Sequence, residues 1–319
     1  MSTIEMRAQL GQSLNELMDT DDRFVVVNAD LANANGLGGT VKKFPDRSFN
    51  VGVQEANMAS FAAGMATYGY IPFIVTFAPF ATRRIADQLM ISISYAGTNV
   101  KVIGGDPGVT AELNGGTHMV FEDIAITRAM SGLTVVEPSD AVQLASLLPQ
   151  IAHHPGPVYM RTYRKKAPAV YQQGQRFELG RAHVVRPGRD ITLFASGIEV
   201  HQAVAAADLL AADGIAAEVV DIHTLKPLDA QTVVQSVRRT GAAVTCENHN
   251  VLGGLGSAVT EATAEHWPVP VLRIGSQDRK GQVGKLPFLV QEYELTAEHI
   301  AAKAARTLKI KNDVGAGAA

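Results

Sequence analysis

Short unbroken apolar runs alternate along this chain with stretches whose apolar residues recur every three or four positions. The runs read as buried strands: residues 23–30, 49–53, 71–77, 99–105, 133–137 and 158–161. Pro72 is expected at the start of its strand, because proline cannot donate to a ladder. Between them lie predicted helices. Residues 4–19 place Leu10, Leu14 and Leu17 on one face. A helix starting near Glu55 carries Met58, Phe61, Ala62 and Met65 at the spacing of one buried face, and Gly69 marks its end. Further helices are expected over 82–95, 121–130 and 140–152, the last capped by Pro138-Ser139-Asp140. Residues 165–190 change to a Pro-, Gly- and Gln-rich connector. The rhythm then restarts, with strands over 191–195, 216–221, 243–247 and 270–274 and helices over 199–212, 256–265 and 296–308. Such alternation predicts the α/β class, with parallel sheets covered on both faces by right-handed crossovers. The expected division is a first domain over 1–175, a second over 176–309, and a flexible Gly/Ala-rich tail over 310–319.

Composition narrows this picture without changing it. The 319 residues fit two domains. A formal net charge of −3 gives no electrostatic case for nucleic acid or an anionic membrane surface. Cys246 is the single cysteine, which excludes an intrachain disulfide and fits a reducing, cytoplasmic setting. The N-terminus lacks the basic and apolar pattern of a signal peptide, and no apolar stretch reaches the ~20 residues of a membrane span.

The candidate chemistry gathers at one sheet edge. Glu55 sits where a strand turns into a helix, the place at which open α/β sheets hold ligands. Its neighbours are mostly apolar, so a lone carboxylate there is costly unless paired; the plainer reading is a helix-capping acid. Thr76-Phe77-Ala78-Pro79-Phe80 ends another strand at this edge, and its two aromatics could form a slot for a ring or simply pack in the core. His118 lies in a Gly-rich loop after a third strand; Arg161 and Arg164 end a fourth, and Arg83-Arg84 open a helix there. This inventory suits an aromatic cofactor and a small anionic substrate. Elsewhere, Gly253-Gly254-Leu255-Gly256 reads as a tight turn, with anion binding through backbone N–H groups as the alternative. No P-loop, nucleophile elbow or zinc-ligand spacing occurs, and His153-His154 read as a solvated helix end.

Taken in order, several segments resemble the C-terminal half of transketolase over roughly residues 5–308. They are Val51-Gly52-Val53-Gln54-Glu55-Ala56-Asn57-Met58, Thr76–Phe80, Gly115-Gly116-Thr117-His118, Glu137-Pro138-Ser139-Asp140, Asp221–Leu228 and Glu247–Ser257. The resemblance implies two Rossmann-like domains, a pyrimidine-binding domain followed by a transketolase C-terminal domain. It implies that Glu55 hydrogen-bonds N1′ of the thiamine diphosphate aminopyrimidine and activates the cofactor. Phe77 and Phe80 would hold the ring, and His118 would contact the donor carbonyl and hydroxyl. Arg164 would grip a sugar phosphate, and Asp30 would lie on the substrate side. Asn114, Arg161 and Arg83 complete the expected substrate-binding set.

Departures from the family pattern also matter. The Gly-Asp-Gly…Asn motif that holds diphosphate and Mg²⁺ is absent, so the resemblance implies a separate partner subunit carrying it, in an α2β2 assembly with the cofactor between chains. Asp106 stands where members have a phosphate-contacting histidine, Glu112-Leu113-Asn114 where they have Gly-Glu-Asp, and Ala34 where they have a serine. These changes put ordinary pentose phosphates in doubt and leave a phosphate, carboxylate or sulfonate open for the arginines. The expected activity is transfer of a two-carbon ketol unit from a ketose to an aldose. The alternatives are the β subunit of a 2-oxo acid dehydrogenase, a deoxyxylulose-phosphate-synthase-like enzyme, and a non-catalytic partner subunit.

Overall fold

The computed structural model describes residues 4–317. The first sheet is built from β1 (Phe24–Asn28), β2 (Ser48–Asn50), β3 (Ile71–Phe77), β4 (Lys101–Gly105), β5 (Thr134–Val136) and β6 (Val158–Thr162). The second contains β7 (His183–Arg186), β8 (Ile191–Ala195), β9 (Ala217–Asp221), β11 (Ala243–Asn250) and β12 (Val271–Ser276). One strand between them in sequence, β10 (Thr224–Lys226), belongs to the first sheet. The orders are β10-β5-β6-β4-β3-β1-β2 and β12-β11-β8-β9-β7. All pairings are parallel except β10 on β5 and β7 on β9. The expected class, two α/β domains of mostly parallel sheet, is what the chain adopts.

β1, β3, β4, β6, β8 and β9 are buried at every position, which is why they read as continuous apolar runs rather than alternating ones. Pro72 is the second residue of β3 and lies opposite Val25, at the strand's start as expected. Between Thr162 and His183 the chain forms neither helix nor strand. We place the domain division in this connector.

Three local expectations need correction. The helix Glu55–Thr67 buries Met58, Ala59, Ala62 and Ala63, whereas Phe61 is exposed. Four small or slender side chains let it approach the sheet closely, and the bulky ring is turned outward. The single helix expected over 82–95 is broken into a short turn Ala78–Ala81, a 3₁₀ turn Arg83–Ile85, a further turn and a π-helix Leu89–Tyr95. Thr82 marks the break: its φ/ψ of −131/−86 are not helical, and its hydroxyl donates to Ala78 O at 2.7 Å. The last helix runs from Ala297 to Gly317, past the end expected near 308 and into the segment expected as flexible tail. Lys311 anchors it, donating to Asp190 O at 3.1 Å and Thr240 O at 2.7 Å. Ala318 and Ala319 lie outside the described residues. Helices Ala230–Thr240 and Leu286–Glu292 and strands β7 and β10 had no counterpart in the sequence reading.

The two domains are joined by more than the connector. β10 extends the first sheet, and a fully buried cluster lies between the halves. Arg161 donates to Asp123 Oδ2 at 2.8 Å, Asp123 Oδ1 at 3.1 Å, Glu137 Oε1 at 2.8 Å and Asn248 O at 3.0 Å. Glu137 also accepts from Ser196 at 2.7 Å, and Tyr159 donates to Asp123 at 2.7 Å.

Candidate active site

Gly52 begins the construction of the site. Its φ of 75° turns the chain after β2, and Gln54 N closes the turn onto Gly52 O at 2.7 Å. The next residue, Glu55, is the first of its helix and is only 4% exposed. The carboxylate is paired: Arg84 Nη1 donates to Glu55 Oε1 at 2.8 Å. That partner answers the cost of burying an acid among apolar neighbours.

Beside Glu55 stands a cluster of rings. Phe77 ends β3, and the immediately following turn brings Phe80 to a centroid distance of 5.9 Å in edge-on contact. His118 packs edge-on against both, 5.6 Å from Phe77 and 5.2 Å from Phe80. Two guanidiniums flank the rings. Arg84 lies 3.7 Å over Phe80, and Arg164 lies 4.6 Å over Phe77.

His118 is positioned by a tight turn in which its N–H and that of Met119 both donate to Gly115 O at 3.0 Å. Thr117 Oγ1 sits 2.9 Å from its Nδ1. Burial, then the charges of Arg84, Arg83 and Arg164, push the imidazole's pKa below its ordinary value, so it is neutral near pH 7. Arg83 bonds Glu122 at 2.9 Å and Thr117 O at 2.9 Å, so it braces the His118 loop rather than facing a ligand. Asn114 is exposed at the end of the 3₁₀ segment Gly108–Asn114. Asp30 follows β1 with φ 63° and exchanges hydrogen bonds with Asn50 at 3.0 and 3.2 Å; it lies two residues past Asn28, which pairs with Val75 of β3, at the sheet edge where Phe77 ends its strand.

Arg164 and Asp106 form a second, adjoining group. Asp106 follows β4 with φ 52° and is buried. It accepts from Arg164 N at 2.9 Å and from Arg164 Nε, while Arg164 Nη1 donates to Ala34 O at 3.2 Å. Burial pushes the Asp106 carboxyl up, and the Arg164 charge and hydrogen bonds pull it down.

Arg161 does not reach this site. Its side chain is fully buried with each nitrogen engaged in the interdomain cluster, so the expectation that it binds substrate is withdrawn. The Gly253–Gly256 turn does bind an anion through its backbone, but the anion is internal. Leu255 N and Gly256 N donate to the Glu247 carboxylate at 2.7 and 2.8 Å. Arg84 was not among the expected substrate- or cofactor-binding residues. An arginine next to Arg83 was visible, but nothing in the sequence tells which of the two turns toward Glu55.

Arg84 also tests the site for a thiamine-type ring. Its flat guanidinium stacks on Phe80 and hydrogen-bonds Glu55 at the same time. An aminopyrimidine needs the same two things, an aromatic face and a carboxylate in its plane. The residues therefore fit that ring, and Arg84, whose side chain is 46% exposed, has room to move aside.

Comparison with known proteins agrees with this geometry. The transketolase pyrimidine-binding domain family matches residues 2–169, and the transketolase C-terminal domain family matches residues 180–300. The chain is 47% identical to the 6-deoxy-6-sulfo-D-fructose transketolase subunit SqwH of Clostridium sp. (strain MSTE9), over 94% of this chain and 93% of that one. It is 33% identical to an apulose-4-phosphate transketolase subunit of Phocaeicola vulgatus, over 96% and 98%. A solved structure described as a split-gene transketolase, inactive β4 tetramer, superposes with a TM-score of 0.89 at 39% identity, covering 97% of this chain and 100% of that one. The chain belongs to the transketolase family and carries its pyrimidine-binding and C-terminal domains.

Proposed function

We propose that this chain is the β-type subunit of a thiamine-diphosphate-dependent transketolase, moving a two-carbon ketol unit from a ketose to an aldose. The observation that carries the reading is Glu55 buried at a helix start beside the Phe77–Phe80–His118 cluster, with Arg84 occupying the place of a planar ring. When bound, thiamine diphosphate supplies a nucleophilic carbon that accepts the ketol unit and hands it on. Glu55 would hold the pyrimidine at N1′ and share a proton there. Phe77 and Phe80 orient the ring and keep water from it. Neutral His118, held by Thr117, uses its Nε2 on the donor's oxygen atoms.

The diphosphate and Mg²⁺ fall to a partner subunit in this reading. The sequence has no Gly-Asp-Gly…Asn motif, and no described group of His, Cys, Asp and Glu is arranged to hold a metal. Val53, Tyr68, Ile91 and Tyr95, exposed on the elements that carry Glu55 or follow Arg84, offer the partner an apolar surface. An α2β2 complex is the expected assembly. The test is reconstitution with the diphosphate-binding subunit, thiamine diphosphate and Mg²⁺. Ketol transfer should require both chains. Transfer by this chain alone, or release of CO₂ from a 2-oxo acid in place of ketol transfer, overturns the proposal.

A further inference from the structure

Around Arg164, which lies over Phe77, three cations each have their own carboxylate. Arg164 is paired with Asp106, Lys165 with Glu112, and Arg7 with Glu5 at 2.8 Å. Arg164 and Arg7 converge on one acceptor, Ala34 O, at 3.2 and 3.4 Å. Asp106 is fixed from both sides: its N–H donates to Thr162 O at 2.9 Å, and its carboxylate takes the Arg164 backbone and side chain together. This leaves Arg164 Nη2 as the guanidinium nitrogen with no hydrogen bond among the described residues. The neighbourhood offers a directed N–H donor with almost no net positive charge. Lys166 is exposed and has no carboxylate partner among the described residues, and Lys280 and Lys285 are exposed on the loop that packs against Gly115 and Gly116; salt screens all three.

A phosphate monoester loses its second proton near pH 6 and enters such a site as a dianion. A sulfonate offers the same tetrahedral oxygens with one fixed charge. Resting on the ketol-transfer reading above, we propose that the terminal group read by Arg164 is a monoanion of the sulfonate class, and that Asp106 sets this preference by cancelling the charge of Arg164.

The test uses the assembled complex with thiamine diphosphate and Mg²⁺ and three donors: a ketose 6-phosphate, the matching 6-deoxy-6-sulfonate and the uncharged ketose. At about pH 7.5 the sulfonate should exceed both others in kcat/KM by about tenfold or more, the effect of one charge near a partly buried pair. Lowering the pH to about 5.5 should raise the phosphate relative to the sulfonate, since only the phosphate gains a proton. Taking the ratio of two donors on one enzyme cancels effects common to both, such as the titration of His118, whereas protonation of Asp106, Glu112 or Glu5 would move the ratio as Asp106→Asn does; repeating the pH comparison in Asp106→Asn isolates the phosphate's own proton. In Asp106→Asn the phosphate should gain at least about fivefold on the sulfonate. Asparagine tolerates the left-handed conformation and can still accept from Arg164, so the fold is kept. A phosphate preference in the wild type, equal use of the uncharged ketose, or a donor ratio unmoved by Asp106→Asn overturns the inference while leaving ketol transfer intact. No transfer from any donor removes the underlying reading, and this inference with it.

Discussion

Two arginines on one short segment live in opposite worlds. Arg161 lies inside β6, is fully buried, and spends its donors on Asp123, Glu137 and a backbone carbonyl across the domain junction. Arg164, just past the strand, lies over an aromatic ring at the mouth of the site with one nitrogen to spare. The first fixes how the halves meet; the second is placed to meet a ligand. Chemistry does not separate them, since both are guanidiniums paired with carboxylates. Their place relative to the strand end does.

The contrast can be broken by substitution, and the largest effect belongs to the buried member. Arg161→Met strands two buried carboxylates and should cost about 3–5 kcal/mol in urea unfolding, a large share of the stability of a typical domain. Arg164→Met strands one buried carboxylate, Asp106, which keeps the Arg164 backbone N–H as a donor, so it should cost less than Arg161→Met and raise KM for a charged donor as well. Equal destabilisation by both would erase the distinction. Glu55→Gln should fold normally yet lower ketol transfer in the complex by on the order of a hundredfold, the scale of a lost proton-transfer group.

A gentler test acts through the second domain. Gly281 abuts the His118 loop so closely that a Cβ there would lie 2.7 Å from Gly116 Cα and 3.0 Å from Met119 Sδ. Gly281→Ala should cost about 1–3 kcal/mol by overpacking and raise donor KM more than it lowers kcat. Unchanged kinetics would mean the loop does not feel its neighbour. The smallest expected change is Arg84→Ala, which empties the ring slot and should tighten cofactor binding several-fold, by about 0.5–1 kcal/mol, in titration calorimetry of the complex.

The same contrast predicts a pH dependence. Burial raises Glu247 to about 7 despite its two backbone donors, and raises Asp221 to about 6. Both folded values lie above the unfolded carboxyl range, so the folded state holds extra protons. Their stabilising contribution is complete below about pH 4 and is lost as pH rises through 6 and 7. His223 and His249 run the other way. Burial lowers both to about 4, so their contribution is present above about 6.5 and is lost as pH falls through 4. Glu247→Gln should flatten the decline between about pH 5 and 7 in unfolding curves.

Much of this was legible in the chain. Fully buried parallel strands leave uninterrupted apolar runs, and Glu55, Phe77, Phe80 and His118 sit at strand ends, where the α/β architecture gathers side chains. What escaped was decided by tertiary contact. β10 is three residues long and pairs with a strand some ninety positions earlier, so no local pattern announces it. The helix Glu55–Thr67 packs through alanines, and periodicity favoured its large residue, Phe61. The final helix continues because Lys311 finds two carbonyls, which composition cannot show. Arg161 and Arg164 look alike until burial is known.

β10 has a consequence for how the molecule can be cut. The second half supplies the outermost strand of the first half's sheet, and the Arg161 cluster draws ligands from both sides. A protease nick anywhere in the bare connector between Thr162 and His183 should therefore leave two fragments that travel together on a sizing column. A gene truncated at the same place would leave the bare edge of β5 and a half-built charge cluster open to water. The boundary that looks like a hinge in the sequence is, in the folded chain, among the poorest places to divide it.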